Sequence, residues 1–349
     1  MPERELRQTL QLYETFYGGW NVKHFHEQLQ ERHSFRWGYT WTKTQRHAAG
    51  LVERAKRRGV HRRKRPRKPC EGMMLHQDGS RFAWPEGQPM LDLIVTMDDA
   101  TSTIYSGFLV EEEGTASSFR GLLETFTAMG LCCSLYTDRG SHYFYTAKAG
   151  ELVDKSVLTQ VGRALHWLGI EHIAAYSPEA RGRSERMFGT LQDRLPKELK
   201  LAGITDIEAA NRFIAEVYLP AHNARFAKPP EIADSAFVTA DPLQLGEILC
   251  VEEERVVGRD NTVGYCGLRL QLPESRVRHH YVKAQVRVRQ YPDGSLGVFH
   301  GPRCIGRYDS QGRETAATPT SPSLAPCSTP SRRGLEASRP AEPRRGGQP

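Results

Sequence analysis

Residues 131–140 read LCCSLYTDRG. A short apolar run of strand texture stops at an acid, Asp138, and a glycine follows two residues later. Ahead of it, SSFRGLLETFTAMG (117–130) has helical texture and closes on Gly130. Behind it come a second helix pattern, LTQVGRALHWLGI (158–170), a short strand, EHIAAYS (171–177), and a long helix, RSERMFGTLQDRLPKEL (183–199). Three strand-like runs precede the block: GMMLHQDGSRFAW (72–84), PMLDLIVTMDDAT (89–101) and STIYSGFLVEE (102–112). Three strands followed by alternating helix and strand describe an α/β domain with a mixed sheet. One more helix, DIEAANRFIAEVYLPAHNARF (206–226), closes it.

Both flanks differ in texture. In the first 50 residues Leu6, Leu10, Tyr13 and Tyr17 recur at helical spacing, as do Val22, Phe25 and Leu29, with Asn21 placed to cap the second helix. Thr40 or Thr42 is placed to cap a third. Short helices followed by a basic stretch suggest a helix-turn-helix piece, with a plain helical hairpin as the alternative. Beyond residue 240, VGYCGLRLQL, YVKAQVRVRQY and SLGVFHGPRCIGRY alternate apolar and polar residues around a Pro-Asp-Gly turn at 292–294. A small sheet or barrel rich in Arg (Arg269, Arg276, Arg278, Arg287, Arg289, with Lys283) is expected there. The Ser-, Pro- and Arg-rich tail lacks aromatics and is expected to be disordered. The organisation reads as a helical region at 1–53, a basic linker at 54–70, a catalytic core at 71–238, a small basic β domain at 239–309 and a tail at 310–349.

The chain has 349 residues and a formal charge of +7. The charge concentrates in residues 54–68, RAKRRGVHRRKRPRK, which hold ten Lys or Arg and no acid. Such a run suits phosphates better than a solvated face. The seven cysteines form no CxxC pair, which suggests free thiols in a reducing compartment. His24, His26, His33 and His47 have no cysteine partners at zinc-finger spacing. No signal peptide or membrane-length apolar run is present, so a cytosolic protein without membrane association is expected.

Three acids carry the chemistry. Asp78 either sits inside a strand, where a carboxylate must be paired, hydrogen-bonded or metal-bound, or begins a turn before Gly79. Asp138 ends a buried strand, where α/β folds build their sites, though Thr-Asp-Arg-Gly is also a fair turn. Glu185 opens a long helix among Arg181, Arg183 and Arg186, a setting that can face a phosphate, although a surface acid there is ordinary. Asp92, Asp98, Asp99 and Glu179 compete, and Asp98 and Asp99 could simply cap a turn. Hard divalent cations take carboxylate oxygens, and pairs of them hold the attacking and leaving oxygens of phosphodiester chemistry. Three such acids in a basic chain point to a metal-dependent enzyme acting on nucleic acid.

The segments LHQDGSRFAWPEG, VTMDDATSTIYSGFLVEEE, LYTDRGSHYF, LTQVGRALHWLGIEHIAAYSPEARGRSERMFGTLQDRLPKELKLAGI and EAANRF…HNARFA keep one order across residues 74–230. Together they resemble the DDE transposases of bacterial insertion sequences, most closely the ISNCY-type group, which have a retroviral-integrase-like core. The resemblance implies a ribonuclease-H-like mixed five-stranded sheet flanked by helices, an N-terminal helix-turn-helix region and a small C-terminal β-barrel. It places the acidic triad on Asp78, Asp138 and Glu185, at intervals of 60 and 47 residues. These would bind two Mg²⁺ ions, with Mn²⁺ able to substitute. Arg57, Arg58, Arg62, Arg63, Lys64, Arg65, Arg67 and Lys68 of the linker, with Arg181, Arg183 and Arg186, would hold DNA phosphates. The implied reaction is 3′-end cleavage and strand transfer between the terminal inverted repeats and target double-stranded DNA. The protein would act as a homo-oligomer, in the bacterial cytosol and associated with the nucleoid. Family members carry a longer N-terminal DNA-binding region, which implies a shortened member here. Glu179-Ala180-Arg181 stands where the family has Gln-Ala-Lys. A silent DNA-binding remnant and a ribonuclease-H-like nuclease without strand transfer are the alternatives.

Overall fold

The computed structural model describes residues 3–52, 65–148, 151–154, 156–176, 182–274 and 278–315. Arg57, Arg58, Arg62, Arg63, Lys64, Glu179, Arg181, Arg276 and nearly all of the tail therefore lie outside the described residues.

The core is a five-stranded sheet made by β2 (Leu75–Phe82), β3 (Leu91–Asp98), β4 (Ile104–Val110), β5 (Ser134–Thr137) and β6 (Glu171–Ala174), with a short β1 (Cys70–Glu71) ahead of it. The order is β4-β3-β2-β5-β6. β3 runs antiparallel to both β2 and β4, whereas β5 runs parallel to β2 and β6 to β5. This is the mixed sheet that the sequence pattern predicts. Alternation assigns the faces. On one, Leu75 and Leu135 pack with Phe119, Leu122 and Phe126 of α4 (Thr115–Met129) and with Val161 and Leu165 of α5 (Gln160–Trp167). On the other, Leu91, Leu93, Val95 and Met97 meet Met187, Phe188, Leu191 and Leu195 of α6 (Ser184–Leu201). The 206–226 stretch is two helices, α7 (Ile207–Phe213) and α8 (Leu219–Phe226), joined by a π-helical turn at Ile214–Tyr218.

The N-terminal helices are α1 (Glu3–Phe16), α2 (Val22–Arg32) and α3 (Tyr39–Ala48). Asn21 caps α2 as expected, accepting from the His24 N–H at 2.8 Å. The third helix starts earlier than expected, after Gly38, so neither threonine caps it. Thr42 is instead buried and bonds His26 Nδ1 at 2.9 Å. Tyr13, Tyr17, Trp20, Phe25 and Leu29 form a small core. These helices dock on the far half of α6 through charge. Arg194, 5% exposed, pairs with Glu27 at 2.7 Å. His24 meets Glu198 at 2.6 Å, Asn21 bonds Asp193, and Arg225 reaches Glu27 and Glu31. His24, His26 and His33 are thus held by Glu198, Thr42 and Tyr17.

C-terminal to the core, β7 (Ile232–Ser235) pairs with β1, and α9 (Pro242–Ile248) leads into β8 (Val251–Val256). The basic β region is a four-stranded antiparallel sheet, β13 (Arg303–Tyr308), β12 (Leu296–His300), β11 (Gln285–Gln290) and β8, beside a hairpin of β9 (Thr262–Tyr265) and β10 (Leu268–Gln271). Among the described strands the ladders form two separate sheets. Its arginines are largely paired internally. Arg289 and Arg307 converge on Glu247, Arg287 and Arg289 on Glu252, and Arg269 on Asp260. Arg163 of α5 also reaches Glu252, at 3.8 Å, fastening this region to the core. The six described cysteines are free, and no helix among the described residues is long and apolar enough to cross a membrane.

Helix α8 buries His222, whose imidazole is pushed down to about 4 by burial and by the nearby Arg194 and Arg225 cations. In an unfolded chain it would titrate near 6.5. Between these values the unfolded state binds the extra proton, so stability is fully present above pH 6.5 and falls as acid is added. We expect this one group to cost about 2 kcal/mol at pH 5 relative to pH 8. Urea unfolding at the two pH values should show that loss, and His222→Phe should diminish it. Equal pH sensitivity in the variant would exclude His222 as the source.

Candidate active site

Asp78 lies inside β2, opposite Val95 of β3, and not in a turn. Gly79 follows it within the strand. The face it uses follows from its neighbours: Gln77 bonds the Ser118 carbonyl of α4 at 3.1 Å, whereas Ser80 bonds Gln192 of α6 at 2.9 Å. Asp78 shares parity with Ser80, so it belongs to the face that α6 covers. Asp138 stands one residue past β5. The parallel register pairs Leu75 with Leu135 and His76 with Tyr136. Continued by two residues, it sets Asp138 beside Asp78 on the same face. Its Oδ1 accepts from the Gly140 N–H at 2.8 Å, which fixes the turn that follows. Both carboxylates act on the buried Tyr143 hydroxyl, helping to raise its pKa after burial and Glu113.

Glu185 is the second residue of α6 and is exposed. Two anchors set the course of this helix over the sheet. At its start Arg183 donates to Asp99 Oδ1, which also takes His76 Nε2 at 2.7 Å. Further along, Gln192 holds Ser80. The helix therefore runs along β2 from the level of His76 to that of Ser80, and both Glu185 and Asp78 fall between these anchors. Among the described residues, no three His, Cys, Asp or Glu side chains stand gathered in a metal-holding arrangement. The two strand-borne acids are neighbours on one face; Glu185 is carried along the same face but points to solvent.

Asp98 and Asp99 do more than cap a turn. Asp98 takes the Gly72 N–H at 2.9 Å, and the Thr101 N–H and hydroxyl at 2.7 and 3.0 Å. Asp99 is fully buried and accepts from Arg65, Arg183, His76 and the Lys68 N–H. Burial alone would raise its carboxyl, but His76, the Lys68 N–H and Arg183 outweigh that and hold it well below the usual range. Two cations expected on DNA, Arg65 and Arg183, are thus engaged inside the protein. Arg67 likewise donates to the carbonyls of Asp99 and Ala100 and to Ser102. Arg186 remains on the surface, its Nε on the Gly182 carbonyl at 2.8 Å.

Sequence reasoning passed over Glu113 and His142. They face each other at 3.5 Å, and Glu113 Oε1 and His142 Nε2 are buried with no hydrogen-bond partner. A side chain at Gly79 would collide with the Glu113 carboxylate, and one at Gly140 would meet both the His142 ring and Asp138 Oδ1 at 2.9 and 3.0 Å. The pair therefore backs onto the loop that holds Asp138. The only signal for it was SHY, directly after Asp-Arg-Gly; Glu113 sits in an EEE run that reads as solvated loop.

As a ligand set, Asp78 and Asp138 suit a hard cation: oxygen donors side by side, with no cysteine among the residues placed at this face.

Comparison with known proteins agrees with the resemblance read from the motifs. No family model matches the chain. It is 34% identical over 254 residues to the transposase-named y4bF protein of Sinorhizobium fredii, covering 72% of this chain and 55% of that one. It is 32% identical over 194 residues to the transposase for insertion sequence IS1202 of Streptococcus pneumoniae, covering 55% and 41%. The chain thus spans about half the length of the curated relatives it matches. Solved structures similar to it include a simian T-cell lymphotropic virus intasome in complex with the PP2A regulatory subunit B56 gamma (15% identity, TM-score 0.36, 81% of this chain and 92% of that one). The HTLV-2 integrase catalytic core domain in complex with magnesium, in its dimeric form, is also similar (15% identity, TM-score 0.32, 42% and 89%).

Proposed function

We propose that this chain carries the catalytic core of a DDE transposase with a ribonuclease-H-like fold, which frees the 3′ ends of a mobile element and joins them to target DNA. The observation that carries this is the juxtaposition of Asp78 and Asp138, 60 residues apart in sequence, at neighbouring positions on the sheet face along which the Glu185 helix runs. The similarity to transposases supports it independently.

In this reading Asp78, Asp138 and Glu185 hold two divalent ions, Mg²⁺ with Mn²⁺ as substitute. Bound there, the ions supply a water or 3′-hydroxyl of lowered pKa and neutralise the leaving oxygen. The sheet keeps Asp78 and Asp138 in fixed positions, and the Gly140 N–H holds Asp138 in one orientation. Glu185 completes the set as DNA brings the helix start and the sheet face to one phosphate. Gly189, one turn on, is exposed with nothing within 4 Å of where a side chain would begin, which leaves room for a strand beside Glu185. Arg186, with Arg57, Arg58, Arg62, Arg63 and Lys64 of the basic stretch, holds phosphates, fixing position without reading sequence. The N-terminal helices read the element ends as a helix-turn-helix unit, and two or more chains pair the ends.

The exposed Glu185 carboxylate favours one second reading, a chain that binds DNA without cutting it. One assay separates the two. Purified protein is mixed with Mg²⁺ and labelled DNA bearing the terminal repeats found beside the coding sequence. Joined products are the expected result; binding without nicking would establish the silent reading, and nicking without joining would identify a nuclease.

A further inference from the structure

A cleft of about 310 Å³ opens beside the start of α6. Arg67, Arg183, Arg186 and Lys228 bring four cations to it, and its described lining includes no Asp or Glu. Its walls also carry Met97, Met187 and Phe226, so it is both basic and apolar. Buried His222 lines it as well, with a ring nitrogen, Nδ1, that has no hydrogen-bond partner, and with its ring 4.7 Å from that of Phe226. The cations differ in what is left to them. Arg67 and Arg183 are held by backbone carbonyls and Asp99 and contribute field. At the exposed rim, and among the described residues, Arg186 is bonded through Nε alone, and the Lys228 ammonium has no hydrogen bond.

An anion alone would need the cations but not the aromatic and thioether wall; an apolar ligand would need the wall but not the cations. A nucleotide needs both. Phosphate takes charge-assisted hydrogen bonds from Arg and Lys, and a base gains about 1–3 kcal/mol on an aromatic surface. The volume lies at the lower end of the roughly 300–1,000 Å³ of small-molecule sites. Arg183 and Arg186 line the cleft and flank Glu185, so its occupant lies next to the helix turn that bears the third acid.

We propose that this cleft receives one unpaired nucleotide of a DNA strand, its phosphate at Arg186 and Lys228 and its base against Phe226, Met97 and Met187. The proposal deepens the transposase reading and rests on it. Drawing a base out of the stack costs a few kcal/mol, which the cleft offsets for a strand already opened at an end.

The probe is a duplex with a short 3′ overhang containing 5-iodouracil, mixed with the full chain in EDTA so that no reaction occurs. Irradiation is expected to crosslink the overhang to the peptide containing Phe226 or Met187. Lys228→Ala, an exposed position, and Phe226→Leu should each weaken overhang binding about tenfold, leaving a blunt duplex unaffected. Crosslinks confined to other peptides, or equal losses on blunt and overhang DNA, would overturn the proposal. So would equal competition by free dAMP and by the overhang strand, which would mark a mononucleotide site. Strand joining without cleft crosslinks would sink this inference alone; cleft crosslinks in a protein that never joins strands would sink the transposase reading instead.

Discussion

Asp138→Asn is expected to abolish both 3′-end nicking and strand joining while leaving DNA binding unchanged. The substitution keeps size and shape and can still accept the Gly140 N–H, so the turn after β5 should persist. What it removes is one of two neighbouring negative charges on the sheet face. Losing a single group that stabilises developing charge typically costs on the order of a hundred- to a thousandfold, and loss of a metal-binding carboxylate should reach at least the upper end. Gel-shift titration and the joining assay on the same preparation measure the two properties side by side. Joining within about tenfold of wild type, well short of that loss, would remove Asp138 from the reacting centre.

Asp99→Asn should do the opposite, striking the fold first. Asp99 is completely buried and balances Arg65, Arg183 and His76. An amide of the same shape leaves the Arg65 and Arg183 guanidinium groups facing a neutral group in a water-poor setting. Removing one partner of a buried charge pair costs about 3–5 kcal/mol. For a unit of this size that corresponds to a fall in melting temperature of about 10 °C. Thermal unfolding followed by circular dichroism reads it directly. A melting temperature within about 2 °C of wild type, less than the effect of a single kcal/mol, would show that Asp99 is not the keystone of this corner. Because Arg183 is the anchor at the start of α6, the folded fraction of this variant should also join DNA less well.

Much of this was legible from local pattern. The helix-strand alternation after residue 71 gave the mixed sheet, because its strands are short apolar runs bounded by turn formers. Asn21 announced the start of α2 by its cap chemistry. The strand placement of Asp78, ambiguous in sequence because Asp-Gly also begins turns, was settled by pairing along the whole of β3. What stayed hidden depends on distant partners. The Asp98-Asp99 doublet looks like a turn cap until Arg65, from the basic linker, and Arg183, from α6, arrive at one oxygen. The β region read as basic because its arginines are visible in the sequence, whereas their pairing with Glu247 and Glu252 arises only when β8 and β11 align. Glu113 and His142 come from two separate loops and meet behind Asp138.

Helix α6 has a grip at each end. Its first turn bears Glu185, and thirteen residues later Glu198, with Arg194 nearby, is clasped by the N-terminal helices. At 1.5 Å per residue that is a span of about 20 Å, with Pro196 inside it close to the Glu198 end. In the transposase reading, DNA held by the N-terminal helices would bear on the Glu198 end of the helix whose first turn carries Glu185. On that reading, engagement of an element end and seating of the last carboxylate share one axle.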